Sequence, residues 1–93
     1  PESHVLKQNY PNPFNPITNI EIELLNDEHI QLIIFDLNGR QVRELANSFY
    51  SEGLYKFTWN SLDDFGNMVP SGIYFYQLTT PSGSDSKKML LLK

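Results

Sequence analysis

The stretch Ile17–Leu45, ITNIEIELLNDEHIQLIIFDLNGRQVREL, decides how this chain folds. In its first part Ile20, Ile22 and Leu24 alternate with Asn19, Glu21 and Glu23, the period-two pattern of a strand with one buried and one wetted face. Asn26, Asp27 and Glu28 supply a turn. Beyond it Ile30, Leu32 and Ile34 make one apolar face, while Ile33 and Phe35 make the other partly apolar, which places this second strand inside a sheet rather than at its margin. Asp36-Leu37-Asn38-Gly39 follows, and Asn-Gly predicts a hairpin through a type I′ turn, with positive φ at both residues, into a returning strand at Arg40–Leu45.

Working outward, Asn9–Pro16 reads NYPNPFNP. Pro11, Pro13 and Pro16 fix φ and push their predecessors toward extended backbone, so this segment is stiff and non-helical. Residues 1–8 read as a linker with room for a short first strand at Val5 and Leu6, and residues 9–93 as the domain proper. Downstream, Ser51-Glu52-Gly53 marks a turn, and Leu54–Trp59 alternates Tyr55, Phe57 and Trp59 toward a core against Leu54, Lys56 and Thr58. Leu62–Ser71 is rich in loop-forming pairs. Ile73–Thr80, IYFYQLTT, is apolar on both faces and belongs in mid-sheet. Pro81–Ser86 reads as a polar turn, and Lys87–Lys93 as a last strand antiparallel to the one before it. About seven strands at roughly 8–12-residue spacing with no helical periodicity predict an all-β, immunoglobulin-like antiparallel sandwich.

Ninety-three residues suit one core. A net charge of -4 gives no overall attraction for nucleic acid. The charges are uneven, however: the last acid is Asp85, and Lys87, Lys88 and Lys93 follow it, so the end of the chain is locally basic. With no cysteine, disulfides and thiolate metal sites are excluded. The chain opens at Pro1 without a leader, as an excised piece would, and Met89–Leu92 is far below the ~20 apolar residues that span a bilayer.

Residues with catalytic chemistry are few. His4 lies in the linker and His29 beside a turn, neither in a motif with a nucleophile or acid. Asp63 and Asp64 are adjacent, and neighbours in extended backbone point to opposite sides, which disfavours paired acid–base work. With Asn67 they offer oxygen ligands of the kind calcium takes, though not at EF-hand spacing, and the plain alternative is a turn. Trp59, Tyr74 and Tyr76 form either core or a sugar-stacking platform. Gly72 has the plain reading of a turn residue. No metal, cofactor or catalytic residue is assigned, and the chain reads as a non-enzyme.

Taken in order, NYPNPFNP, DLNGRQVREL at Asp36–Leu45, Trp59-Asn60, DDFGNMVPSGIYFYQL at Asp63–Leu78 and KKMLLLK at Lys87–Lys93 resemble the C-terminal sorting domain of type IX secretion cargo in Bacteroidetes and related bacteria. Pro11-Asn12-Pro13, Gly72-Ile73-Tyr74 and Lys87, Lys88 and Lys93 match its three sequence blocks. The resemblance implies a sandwich that acts as an address. Its parent carries N-terminal cargo domains, crosses the periplasm, and is recognised by an outer-membrane translocon or shuttle protein. A sortase-like peptidase then removes the domain, cutting before Tyr10, and the cargo is secreted or held at the cell surface. An exposed terminal strand would pair with a receptor edge, the lysines would steer it, and an edge-strand homodimer is a further expectation. From Val42 to Leu78 the chain also resembles the Ig-like domain of flagellar hook-capping proteins, and a carbohydrate-binding module stands as the third reading.

Overall fold

The computed structural model describes residues 4–93. Seven strands run in the order β1 (His4–Leu6), β2 (Thr18–Leu24), β3 (Glu28–Asp36), β4 (Gln41–Tyr50), β5 (Gly53–Trp59), β6 (Gly72–Thr80) and β7 (Gly83–Leu91). They form a three-stranded sheet, β1-β2-β5, facing a four-stranded sheet, β4-β3-β6-β7, and every strand pairing is antiparallel. This is an immunoglobulin-like sandwich with its fourth strand beside the third.

The alternation read from the sequence is what fills the space between the sheets. Ile20, Ile22 and Leu24 of β2 meet Ile30, Leu32 and Ile34 of β3 and Tyr74, Tyr76 and Leu78 of β6, all buried. Strands β3 and β6 sit inside their sheet, as their two apolar faces predict. Trp59 lies at the heart of the core, flanked by Phe14 at 5.7 Å and Tyr74 at 5.4 Å between ring centroids, and its indole N–H donates to the Leu62 carbonyl. Tyr55 and Phe57 share its inward face but are only half-buried. The Tyr74 hydroxyl donates to the Pro70 carbonyl at 2.6 Å, the tyrosine-corner contact that pins the start of a strand in such sandwiches.

Three local details differ from expectation. The β3–β4 turn is not type I′. Only Gly39 takes positive φ, at 83°, while its N–H bonds the Asp36 carbonyl and Arg40 pairs with Asp36, giving a three-residue loop. Asp36 drives this choice, because its Oδ1 accepts the N–H groups of Asn38 and Arg40 and so stabilises the wider loop. Those same N–H groups, with the Arg40 side chain, hold the Asp36 carboxyl below its ordinary pKa. The returning strand also runs on to Tyr50, with register shifts beside Leu32/Ile33 and Ile34/Phe35. Finally, β7 begins at Gly83, not Lys87, and ends at Leu91. Ser84, Asp85 and Ser86 look like turn in isolation, yet β6 continues opposite them, and by the ladder's alternation Asp85 is the one whose backbone faces it.

Candidate functional site

The proline-rich segment and the last strand, 80 positions apart in sequence, meet along one margin of the sandwich. Gln8 Nε2 donates to the Lys88 carbonyl at 2.9 Å, and the Leu90 N–H donates to Asn12 Oδ1 at 3.0 Å. Phe14 then exchanges two backbone bonds with β7, its N–H to the Leu90 carbonyl and its carbonyl from the Leu92 N–H. Residues 88, 90 and 92 turn their backbone groups outward, and Gln8–Phe14 lies over them as a strap. Beside it, the Lys93 N–H donates to Ser71 Oγ, which brings in the loop before Gly72. Asn12, the Ser71–Gly72 loop, and Lys88 with Lys93 therefore meet along this one margin.

A buried polar network sets the strap's path. Asn9, 2% exposed, donates from Nδ2 to Thr18 Oγ1 and to the Pro11 carbonyl, and from its backbone to the Tyr76 hydroxyl. That hydroxyl donates in turn to the Lys7 carbonyl. Burial pushes the Tyr76 phenol pKa up to about 12, although the Asn9 N–H bond pulls the other way. Phe14, 2% exposed, plugs the strap into the core against Trp59. Pro11 and Pro13 bring no N–H, and the strap's backbone donors are Asn9, Tyr10 and Phe14 instead.

Each residue singled out by sequence now has a place. Pro11, Asn12, Pro13, Lys88 and Lys93 are exposed. Lys87 is half-buried on the opposite side of β7. Tyr74 is interior, and its phenol pKa is raised by burial and by the nearby Asp36 charge. Gly72 opens β6 with φ 154°. The expectation of an exposed terminal strand needs correction, since β7 is an edge strand whose second half is already bonded by the strap. Ser84 and Ser86, on the same alternation, present their backbone outward beyond the reach of the strap. Tyr76 is core, one of the two readings the sequence offered, but its hydroxyl network with Asn9 was not foreseen, and neither Asn9 nor Phe14 was given a role of its own.

Other readings lose their geometry. Trp59, Tyr74 and Tyr76 are 1%, 4% and 0% exposed, so they form no sugar platform. Asp63 and Asp64 work as clamps. Asp63 Oδ1 accepts the N–H groups of Phe65 and Asn67, while Asp64 accepts the Glu44 N–H and Gln41 Nε2, fastening the loop to β4 and lowering the Asp64 pKa. No group of three or more His, Cys, Asp or Glu side chains placed to hold a metal occurs among the described residues. His4 lies in β1, buried, with Nε2 2.9 Å from Asp85 Oδ2, and His29 is exposed.

The fold and its strapped margin define a class, that of immunoglobulin-like sandwich modules. The sequence family described as the secretion system C-terminal sorting domain matches residues 8–92, and the chain belongs to that family. Domains of this family mark a parent protein for secretion. Among solved structures the chain is similar to dimeric latent PorU from Porphyromonas gingivalis, with 21% identity, 96% of this chain and 9% of that one covered, and a TM-score of 0.77. It is similar to PorZ, a surface component of the type IX secretion system of the same organism, with 25% identity, coverage of 92% and 11%, and a TM-score of 0.61. The hook-capping protein FlgD from P. aeruginosa shares the fold at 18% identity, coverage of 94% and 70%, and a TM-score of 0.61. This chain thus spans about a tenth of the length of the two Porphyromonas proteins. A comparison with curated proteins found no match.

Proposed function

We propose that the composite margin formed by the strap, the last strand and the Ser71–Gly72 loop is the address read by a type IX translocon or its shuttle protein. The observation that carries this is the convergence of three separated motifs on one surface through Asn12–Leu90, Phe14–Leu92 and Ser71–Lys93 bonds. Lys88, Lys93 and Leu92 project from that surface, giving a partner two cations and an apolar contact on a rigid frame. Recognition in this reading is by surface shape and charge. Addition of a strand to Lys88–Leu92 would first require the strap to leave.

The domain itself carries out no reaction. Its parent crosses the periplasm and reaches the surface or the medium, and a sortase-like peptidase trims the domain. The cut before Tyr10 that the resemblance implies would first have to free His4–Leu6 from β2 or the buried Asn9 from its partners, so trimming there follows local opening of this segment.

Truncating Met89–Lys93 is a poor test, since Met89 and Leu91 are core residues, 1% and 0% exposed. Reversing the charges of Lys88 and Lys93 together, Lys88→Glu with Lys93→Glu in the full parent protein, alters only exposed side chains. The expected result is parent protein retained in the periplasm at unchanged melting temperature. Undiminished secretion of the double variant would defeat the proposal.

A further inference from the structure

The sandwich has four sheet margins, and three are defended in recognised ways. Strand β1 is only three residues long. Strand β4 carries two register shifts and the Asp64 clamp, and β7 carries the strap. Strand β5 has none of these. It pairs with β2 over seven residues without a bulge. On β2, Asn19 and Glu21 bond toward the first strand's side, through Tyr10 and Lys7. Ile20 and Ile22 therefore bond toward β5, to Phe57 and Tyr55, and the backbone groups of Leu54, Lys56 and Thr58 face outward with no partner among the described residues.

The opposite sheet overhangs this margin. Ser48 of β4 pairs with buried Ile30 and so points to the inner side, yet it is exposed. The space above it is bordered by half-buried Tyr50, Tyr55 and Phe57, with ring centroids 5.0 Å and 6.0 Å from Tyr50. At one end, cross-strand from Tyr50, stands Glu28, whose Oε2 is buried with no hydrogen-bond partner. An orphaned carboxylate oxygen on the residue cross-strand from Tyr50 is a setting for a cation.

We infer that the β4/β5 seam is a docking site for an extended polypeptide segment that pairs with Leu54, Lys56 and Thr58, sets alternate apolar side chains over Ser48 and Phe57, and extends a basic side chain to Glu28. Such a strand would make the smaller sheet four-stranded. Backbone bonds would provide its affinity, and the aromatic seam and Glu28 its selectivity. This site is on the opposite margin from the sorting surface and stands independently of it.

The test is an amide chemical-shift titration of the isotope-labelled chain with the peptide acetyl-Arg-Val-Thr-Val-Thr-Val-Arg-amide, which offers a cation in either strand direction. Saturable shifts at Leu54, Lys56 and Thr58 are expected, weakened about tenfold by Glu28→Gln and to a similar extent by replacing both peptide arginines with glutamate. N-methylating alternate peptide nitrogens should abolish them. Should Glu28→Gln unfold the domain, the glutamate peptide makes the same comparison on the unaltered protein. Absent shifts at β5, equal binding of the arginine and glutamate peptides, or shifts at these amides on concentrating the chain alone, which would mean a second copy covers the edge, would each overturn the inference.

Discussion

The two long margins of this sandwich are treated in opposite ways. At the β1/β7 margin the chain covers itself: the strap bonds outward groups of Lys88, Leu90 and Leu92, Phe14 fills the gap between the sheets, and His4 reaches Asp85 across it. At the β4/β5 margin Tyr50 packs across to Tyr55 and Phe57, an inner-facing serine stays exposed, and an unbroken strand presents bare backbone. Among the edge strands β5 alone is left long, regular and uncovered. The strap has a second consequence: it makes the proposed sorting surface a rigid object instead of a loose terminal strand.

The sharpest way to break this contrast is Phe14→Ala. It leaves a cavity against Trp59 and should cost about 3–5 kcal/mol in urea denaturation, with the strap released. A loss below ~1 kcal/mol would mean that the strap is laid on the sandwich and not built into it.

Next in size is Tyr76→Phe, which leaves the buried Asn9 N–H without its acceptor and should cost about 1–3 kcal/mol. The wild type also makes an alkaline prediction. The Tyr76 phenol, at about 12 in the fold against 10.0 in the unfolded chain, favours folding through its neutral form. Its contribution is whole below pH 10.0 and is lost as pH rises toward 12, because the unfolded chain gives up the proton first. Stability curves from pH 9 to 12 should therefore converge for wild type and Tyr76→Phe. Parallel curves would assign the alkaline loss elsewhere.

Asn12→Ala removes one exposed cap and should cost about 0.5–1.5 kcal/mol. Its signature is local: hydrogen exchange at the Leu90 amide should quicken, while Leu54, Lys56 and Thr58 exchange fast in both proteins. Protection of those three amides in the isolated chain would show the open margin to be closed after all.

The smallest effect belongs to the Asp64 clamp on β4. Asp64 is held below 3.8 chiefly by the Glu44 N–H and then by the Gln41 side chain. A lowered carboxylate pKa adds stability that is full above the unfolded value and lost as pH falls through the folded one. Being exposed, it should contribute under ~1 kcal/mol. Asp64→Ala should accordingly flatten a small part of the loss seen below about pH 4 and leave the neutral-pH melting temperature within a few degrees of wild type.

Sequence by itself located the strands, though not the full extent of β4 and β7, and marked the buried faces of β2 and β3. Ile20-Ile22-Leu24 and Ile30-Leu32-Ile34 alternate because side chains on a pleated strand point to opposite sides, a local rule that survives in any fold. It also marked β3 and β6 as interior strands from their two apolar faces, and the family motifs identified a sorting domain. Tertiary structure alone decided what lies beyond the reach of neighbours. Strands β4 and β5 are joined by a short turn yet belong to different sheets. Ser84–Ser86 is strand because β6 lies opposite, and β7 is guarded because Asn12 meets Leu90 across 78 positions. Periodicity reports whether a face is buried, but whether an edge is covered depends on which distant segment docks there, and no local pattern encodes that.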